Sequence, residues 1–251
     1  MYFPIITPNI PQSEVTVVAV SDAADEALFH KLSELNIKVI KTLRSDHINV
    51  IDFHTDLFLL NLSAGTLFID ESQEERLVKY LTIGYELKKI SGIKSPYPSD
   101  CGLNCVVMGD KLICNINTTH PDVLSLAADK RYKLVTVNQG YAKCSVCVVN
   151  SNALITDDES IYRSSQINLI DSVLIKKGSI RLDGFDYGFI GGCTGLIDKN
   201  KLLFNGDINY HKDCNKIIDF LNKHKVEPVV IENQPLTDIG SVIPLCEKHI
   251  I

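Results

Sequence analysis

A unit of helix, extended segment and β-hairpin recurs five times along this chain, and that recurrence limits its fold more than any other feature. Four hairpins read at residues 56–70, 100–115, 143–157 and 191–205, and a fifth is cut short at 237–245. A repeat of roughly 40–50 residues cannot bury its apolar face alone, so neighbouring units must stack. The expected fold is an α/β propeller of five pseudo-symmetric units around a central pore, with helices outside, in one domain over residues 1–251. The first strand, 15–20, has no helix before it. It is expected to complete the sheet of the C-terminal unit, because pairing first and last segments removes free edges.

Local signals place most elements. Leu28, Leu32 and Leu35 make one apolar stripe, as a helix face requires. Ser72 with Glu75 fits a capping box ahead of Leu77, Val78 and Leu81. His120-Pro121 puts proline at a first helical position, ahead of Val123, Leu124 and Ala127, and Asp213 precedes Ile217, Ile218 and Leu221. The fourth helix is the ambiguous one: 167–175 is apolar, but 173–175 reads equally as a strand. Extended segments follow at 37–43, 85–90, 132–137, 179–182 and 228–232, where apolar and polar residues alternate. Gly, Asn and Asp at 63–65, 109–110, 150–152 and 198–200 tolerate the positive φ of hairpin turns.

Composition sets outer bounds. The formal charge of −6 argues against a nucleic-acid backbone as partner. No run approaches the ~20 apolar residues of a membrane span, and residues 1–8 carry no basic region of the kind that opens a signal peptide. Eight cysteines in a chain long enough to bury a core point to reduced thiols and a cytoplasmic setting. Cys144 and Cys147 have CxxC spacing, but positions three apart on a strand face opposite ways. Asp157-Asp158 is assigned to a helix N-terminus rather than to a metal. The Gly-rich stretch 184–192 reads as tight turns and close strand packing. With no zinc spacing, phosphate loop or dinucleotide fingerprint, neither a metal nor a cofactor is expected.

Five units of this order, closed from N- to C-terminus, resemble the pentein propeller of the guanidine-modifying enzymes. That family includes arginine deiminase, dimethylargininase and the amidinotransferases. More closely, the segments 139–145, 155–158 and 184–192 look like an uncharacterised bacterial family assigned to this fold. The resemblance implies a central pocket for a cationic guanidinium or amine ligand, with a Cys, a His and two acids converging there. A thiolate would attack the guanidinium carbon, carboxylates would hold the planar cation, and the His would move protons.

His54-Thr-Asp56 has the His-x-Asp order the resemblance implies, in the first unit rather than a late one. A partly exposed His beside a turn is the plainer reading of the same residues. Aligning the hairpins on Gly65 and Gly109 sets Asp100 where Asp56 stands, and Asp238 leads into the fifth hairpin similarly, so three acids are expected to ring the pore and bind ligand. The alternative for each is local turn chemistry. Asn104 sits in an apolar run and needs a buried partner.

The nucleophile that the resemblance implies in the last unit is missing: Gly240 or Ser241 stands near its place, and Cys246 comes too late. Cys193, after Gly191-Gly192, is the first candidate in its stead. Cys144, beside Lys143, is the second, because a neighbouring ammonium lowers a thiol pKa. Either could instead be a packed, inert thiol. A divergent guanidine-modifying hydrolase or transferase is therefore the first functional expectation. The alternative is a non-catalytic binding protein with a protein partner, as the ribosome anti-association initiation factors of this fold are. Oligomeric state is open.

Overall fold

The computed structural model describes residues 3–48, 51–75, 77 and 84–248. Its strands form five small sheets in a mixed α/β arrangement. In chain order, β1 (Phe3–Pro4), β2 (Val15–Ser21), α1 (Glu26–Glu34) and β3 (Lys38–Thr42) come first. The one-turn helix α2 (Thr55–Phe58) leads into β4 (Leu59–Ser63), β5 (Thr66–Asp70) and β6 (Glu86–Ile90). Next come β7 (Val106–Met108), β8 (Lys111–Cys114), α3 (Pro121–Asp129) and β9 (Lys133–Thr136). They are followed by β10 (Val146–Asn150), β11 (Ala153–Thr156), α4 (Glu159–Ile167) and β12 (Asp171–Leu174). The chain then forms β13 (Thr194–Asp198), β14 (Lys201–Phe204), α5 (Cys214–Lys223) and β15 (Glu227–Val230), and ends on β16 (Ile243–Glu247).

Four sheets repeat one pattern: an antiparallel hairpin, then a crossover to a third strand parallel to the second. The remaining sheet has the order β1-β16-β2-β3, so the first and last parts of the chain pair, with Ile243 opposite Ala19. In the four repeating sheets the third strand is an edge strand on the outer side. Strands β6, β9, β12 and β15 are exposed or half-buried along much of their length, whereas β4 and β7 are buried throughout. A strand covered on both faces reads as a continuous apolar run, and an outer one carries polar residues; Val106, Val107 and Met108 of β7 against Glu86 to Lys89 of β6 is that contrast in this sequence. The inner strands touch one another in succession, β7 with β10, β10 with β13 and β13 with β16.

The helices bury one stripe each. Leu28 and Leu32 of α1 are fully buried, each worth about 1.5–3 kcal/mol relative to exposure. Leu35 caps the helix and is 38% exposed. His120 caps α3 through its ring, which accepts from the Asp122 N–H at 3.2 Å. Two local expectations are corrected. Asp70, not Ser72, caps the turn Glu71–Gln73, because its carboxylate reaches the Ser72 N–H at 3.0 Å first. Val78 and Leu81 lie outside the described residues. In the fourth unit the helix starts at Glu159, capped by Asp158, and 171–174 is the strand. Residues 179–182 make only an isolated bridge, Arg181 to Thr237. The polar helix face hid α4, and the β-branched run beyond it belongs to β12.

Candidate functional site

The segments that lead into the inner strands carry the polar buried residues. His54 and Asp56 precede β4, Asn104 precedes β7, Lys143 and Cys144 precede β10, and Asp238 and Ser241 precede β16. All seven are buried, from fully covered to 7% exposed. They form one cluster.

Asp56 is its centre. Both carboxylate oxygens lie 3.1 Å from the Cys144 thiol. The Asn104 amide donates to one oxygen at 3.0 Å, and the Ser241 hydroxyl donates to the other at 2.7 Å. Lys143 Nζ donates to Ser241 at 3.0 Å. The other end of Asn104 accepts from the Lys143 and Cys144 backbone N–H groups at 2.7 and 3.2 Å, so this side chain ties two hairpins together. The expected buried partner of Asn104 is thus Asp56 and the Lys143-Cys144 backbone, and the amide is spent inside the protein. Ser241 holds φ +74°, a conformation that L residues rarely adopt.

His54 also stands against Cys144, with Nδ1 3.7 Å from Sγ. Its Nε2 is 3.7 Å from Asp238 Oδ1, within ion-pair range but too far to bond, and has no hydrogen-bond partner. Asp238 accepts from the Phe189 and Gly240 N–H groups at 2.9 and 3.0 Å. Gly192 makes room for it, since a Cβ there would overlap the carboxylate.

Burial sets the charge states. It pushes the Cys144 thiol well above its ordinary value, and Asp56 and Asp238 push the same way. Lys143 had been expected to lower that thiol; the two acids and desolvation outweigh it. Burial lowers His54, with Asp56 pulling back, so the imidazole is neutral at pH 7. Burial also lowers Lys143, again opposed by Asp56. Asp238 is pushed up to about 6 by burial, against its two N–H donors and Lys143. The cluster thus sets two carboxyl groups, Asp56 and Asp238, against one amine, Lys143.

A cavity of about 240 Å³ opens over Cys144 and His54. Ile51, Tyr141, Leu182, Phe185, Asp186, Tyr187 and Phe189 complete its lining. Most of that wall comes from the stretch that the sequence assigned to tight turns and close strand packing. Its signal was the alternation of Phe185, Tyr187 and Phe189 after Gly184.

Two expected residues are elsewhere. Cys193 is packed in the apolar core with Cys147, its Sγ 3.2 Å from the Ile190 carbonyl. Burial and Asp238 raise its pKa. Gly191 and Gly192 give room to the Lys143 and Val146 carbonyls and to Asp238, not to a ligand. Asp100 accepts from Tyr141 Oη at 2.8 Å and from Cys101 Sγ at 3.4 Å, behind the cavity wall. The alignment misplaced it because β7 spans three residues where β4 spans five, so counting back from the turn overshoots. The expected ring of three acids is a pair, Asp56 and Asp238.

His54, Asp56 and Cys144 also bring three donor atoms within 4.8 Å of one another, a set that could hold a metal ion. Sequence spacing did not reveal it, because Asp56 and Cys144 are 88 residues apart. All eight cysteines are free thiols. Among the described residues, no helix is long and apolar enough to cross a membrane.

Comparison with known proteins adds fold and family. The inosamine-phosphate amidinotransferase of Streptomyces griseus superposes with a TM-score of 0.61 at 10% identity, covering 99% of this chain and 98% of that one. DDAH from Pseudomonas aeruginosa, complexed with citrulline, gives 0.55 at 8% identity, covering 87% and 93%. A substrate-bound agmatine deiminase from C. jejuni gives 0.57 at 11% identity, covering 100% and 98%. At such identities the likeness is one of fold, that of the pentein enzymes. No curated protein matches the chain. Residues 19–243 match the family described as "Family of unknown function (DUF6873)", and the chain belongs to that family.

Proposed function

We propose that this protein is a divergent guanidine-modifying enzyme of one five-unit propeller domain, with Cys144 as nucleophile. The five sheets, the pairing of β16 with β2 and the successive contacts of the inner strands support the propeller. The observation that carries the function is the Cys144 thiol in contact with both Asp56 and His54 at the floor of the aromatic-walled cavity. Two carboxyl groups against one amine in the buried cluster favour a cationic ligand, and aromatic faces add cation–π attraction.

The chemistry follows from the charge states. A guanidinium entering beside Asp56 and Asp238 offsets the charge that keeps the thiol protonated. The thiol proton passes to His54, whose Nδ1 is the nearest base with an open role. The thiolate attacks the guanidinium carbon, and the leaving amine departs with a proton from His54. Water then attacks the S-linked amidino carbon, releasing a ureido product and restoring the thiol; an amine in place of water gives amidino transfer. Three donors already engage the Asp56 oxygens. That favours a protonated thiol over a metal at the same place, and no cofactor enters this reading.

The test is turnover. Incubation with arginine, agmatine and related guanidines should yield ureido product and free amine, with an amidino adduct on Cys144 found by peptide mass. Cys144→Ser should abolish product while keeping ligand-induced thermal stabilisation. Absence of product, adduct and stabilisation with every guanidine tried would sink this reading. One observation favours a second reading, binding without turnover: Cys144 is held protonated, and Ser241 stands in the last unit where the resemblance implied a thiol. Stabilisation without product would select it.

A further inference from the structure

The strap 182–189 supplies five of the nine residues around the cavity, Leu182, Phe185, Asp186, Tyr187 and Phe189. It is pinned at both ends: just before it, Arg181 donates to the Leu236 carbonyl at 2.8 Å. Gly188 donates to the Ile180 carbonyl at 2.8 Å, and Phe189 donates to Asp238 at 2.9 Å. Gly188 is also packed so close to Asp238 and Arg181 that a Cβ would clash. The strap therefore sets what the cavity accepts.

Its charges are one-sided. Asp56 and Asp238 are buried against Cys144 and His54 and do not themselves line the cavity. Away from the floor, the exposed Asp186 is the charged residue lining the cavity, and no ion pair engages it among the described residues. No Lys or Arg lines the cavity there. Lys177 lies over the Tyr187 ring, 5.6 Å from its centroid, without reaching the lining. A ligand with a carboxylate at its far end would meet Asp186 with no cation to receive it. A ligand with an ammonium there would find a partner. Specificity of this kind combines one attractive contact with one repulsive one. The volume, about 240 Å³, is below the usual ~300–1,000 Å³ of ligand sites, so the ligand is small.

Resting on the guanidine reading, we infer that the site takes a dicationic guanidinoalkylamine, guanidinium toward Cys144 and ammonium at Asp186, and discriminates against guanidino amino acids. Asp186 is the specificity-determining residue, and Phe185, Tyr187 and Phe189 cover the alkyl chain.

The experiment measures Kd by calorimetry for agmatine and arginine on full-length Cys144→Ser protein, with thermal shifts on the unsubstituted protein as a second readout. Agmatine should bind about tenfold more tightly. Asp186→Asn should weaken agmatine about two- to fivefold, as one exposed charge pair is worth, and tighten arginine by relieving the repulsion of its carboxylate. Asp186→Lys should reverse the order. Arginine binding as well as agmatine, or a preference indifferent to position 186, overturns the substrate class while the guanidine reading stands. Binding of neither compound overturns both.

Discussion

The Cys144 sulfur lies 3.1 Å from both carboxylate oxygens of Asp56. Burial and the neighbouring acids push the Cys144 thiol well above its ordinary value, so it keeps its proton at neutral pH. Iodoacetamide should therefore label Cys144 slowly in native protein at pH 7.5, and Cys193 not at all until unfolding. Asp56→Asn removes the charge and should speed Cys144 labelling about tenfold, the effect of a pKa falling by roughly one unit. Unchanged labelling in that variant would mean that burial alone holds the thiol.

Asp157 gives a pH signature. Both its oxygens are buried without a hydrogen-bond partner. Burial pushes its carboxyl up to about 7, with Asp158 and Asp238 adding and Lys177 opposing. The folded pKa exceeds the unfolded one, so the favourable contribution is fully present below about pH 4 and is lost as pH rises through about 7. The loss is roughly 4 kcal/mol at most. Urea unfolding of Asp157→Asn and unsubstituted protein between pH 4 and 8 should diverge, the variant gaining relative stability as pH rises. Parallel curves would remove Asp157 from the account.

Gly192 and Gly240 sit where backbone meets the site. A Cβ on Gly192 would overlap the Asp238 carboxylate, so Gly192→Ala should cost about 1–3 kcal/mol in urea unfolding, as overpacking does. It should also lower affinity for any cationic ligand by displacing Asp238. Loss of stability with ligand affinity intact would separate Asp238 from binding.

Ser241 separates strain from bonding. Its φ of +74° disfavours any side chain, while its hydroxyl links Lys143 to Asp56. Ser241→Ala and Ser241→Gly both lose the hydroxyl, and only glycine relieves the backbone. The glycine variant should be more stable than the alanine variant by about 1 kcal/mol. Equal stabilities would show that the conformation carries no cost there.

The elements were legible because their signals are local. Apolar runs such as Val146 to Val149 mark inner strands, alternation such as Glu86 to Ile90 marks outer ones, and Gly65 (φ +72°) and Gly109 (φ +61°) mark turns. His54, Asp56, Asn104, Lys143, Cys144 and Asp238 were candidates from residue type and lead-in position, and the fold gathers all six. Asp100 and Cys193 carried the same signals and lie outside the cavity, because a two-residue change in strand length and the packing needs of Gly191 and Gly192 leave no trace in residue type.

What the sequence by itself determined is the order of hairpins, crossovers and outer strands, since periodicity and turn chemistry act within a few residues. What only the tertiary structure decided is which polar residues meet, and in which charge state. Asp56 and Cys144 are 88 residues apart, and Asp56 and Ser241 are 185 apart. Their contact depends on how neighbouring sheets pack, and the protonation of Cys144, His54 and Asp238 depends on the desolvation that packing imposes.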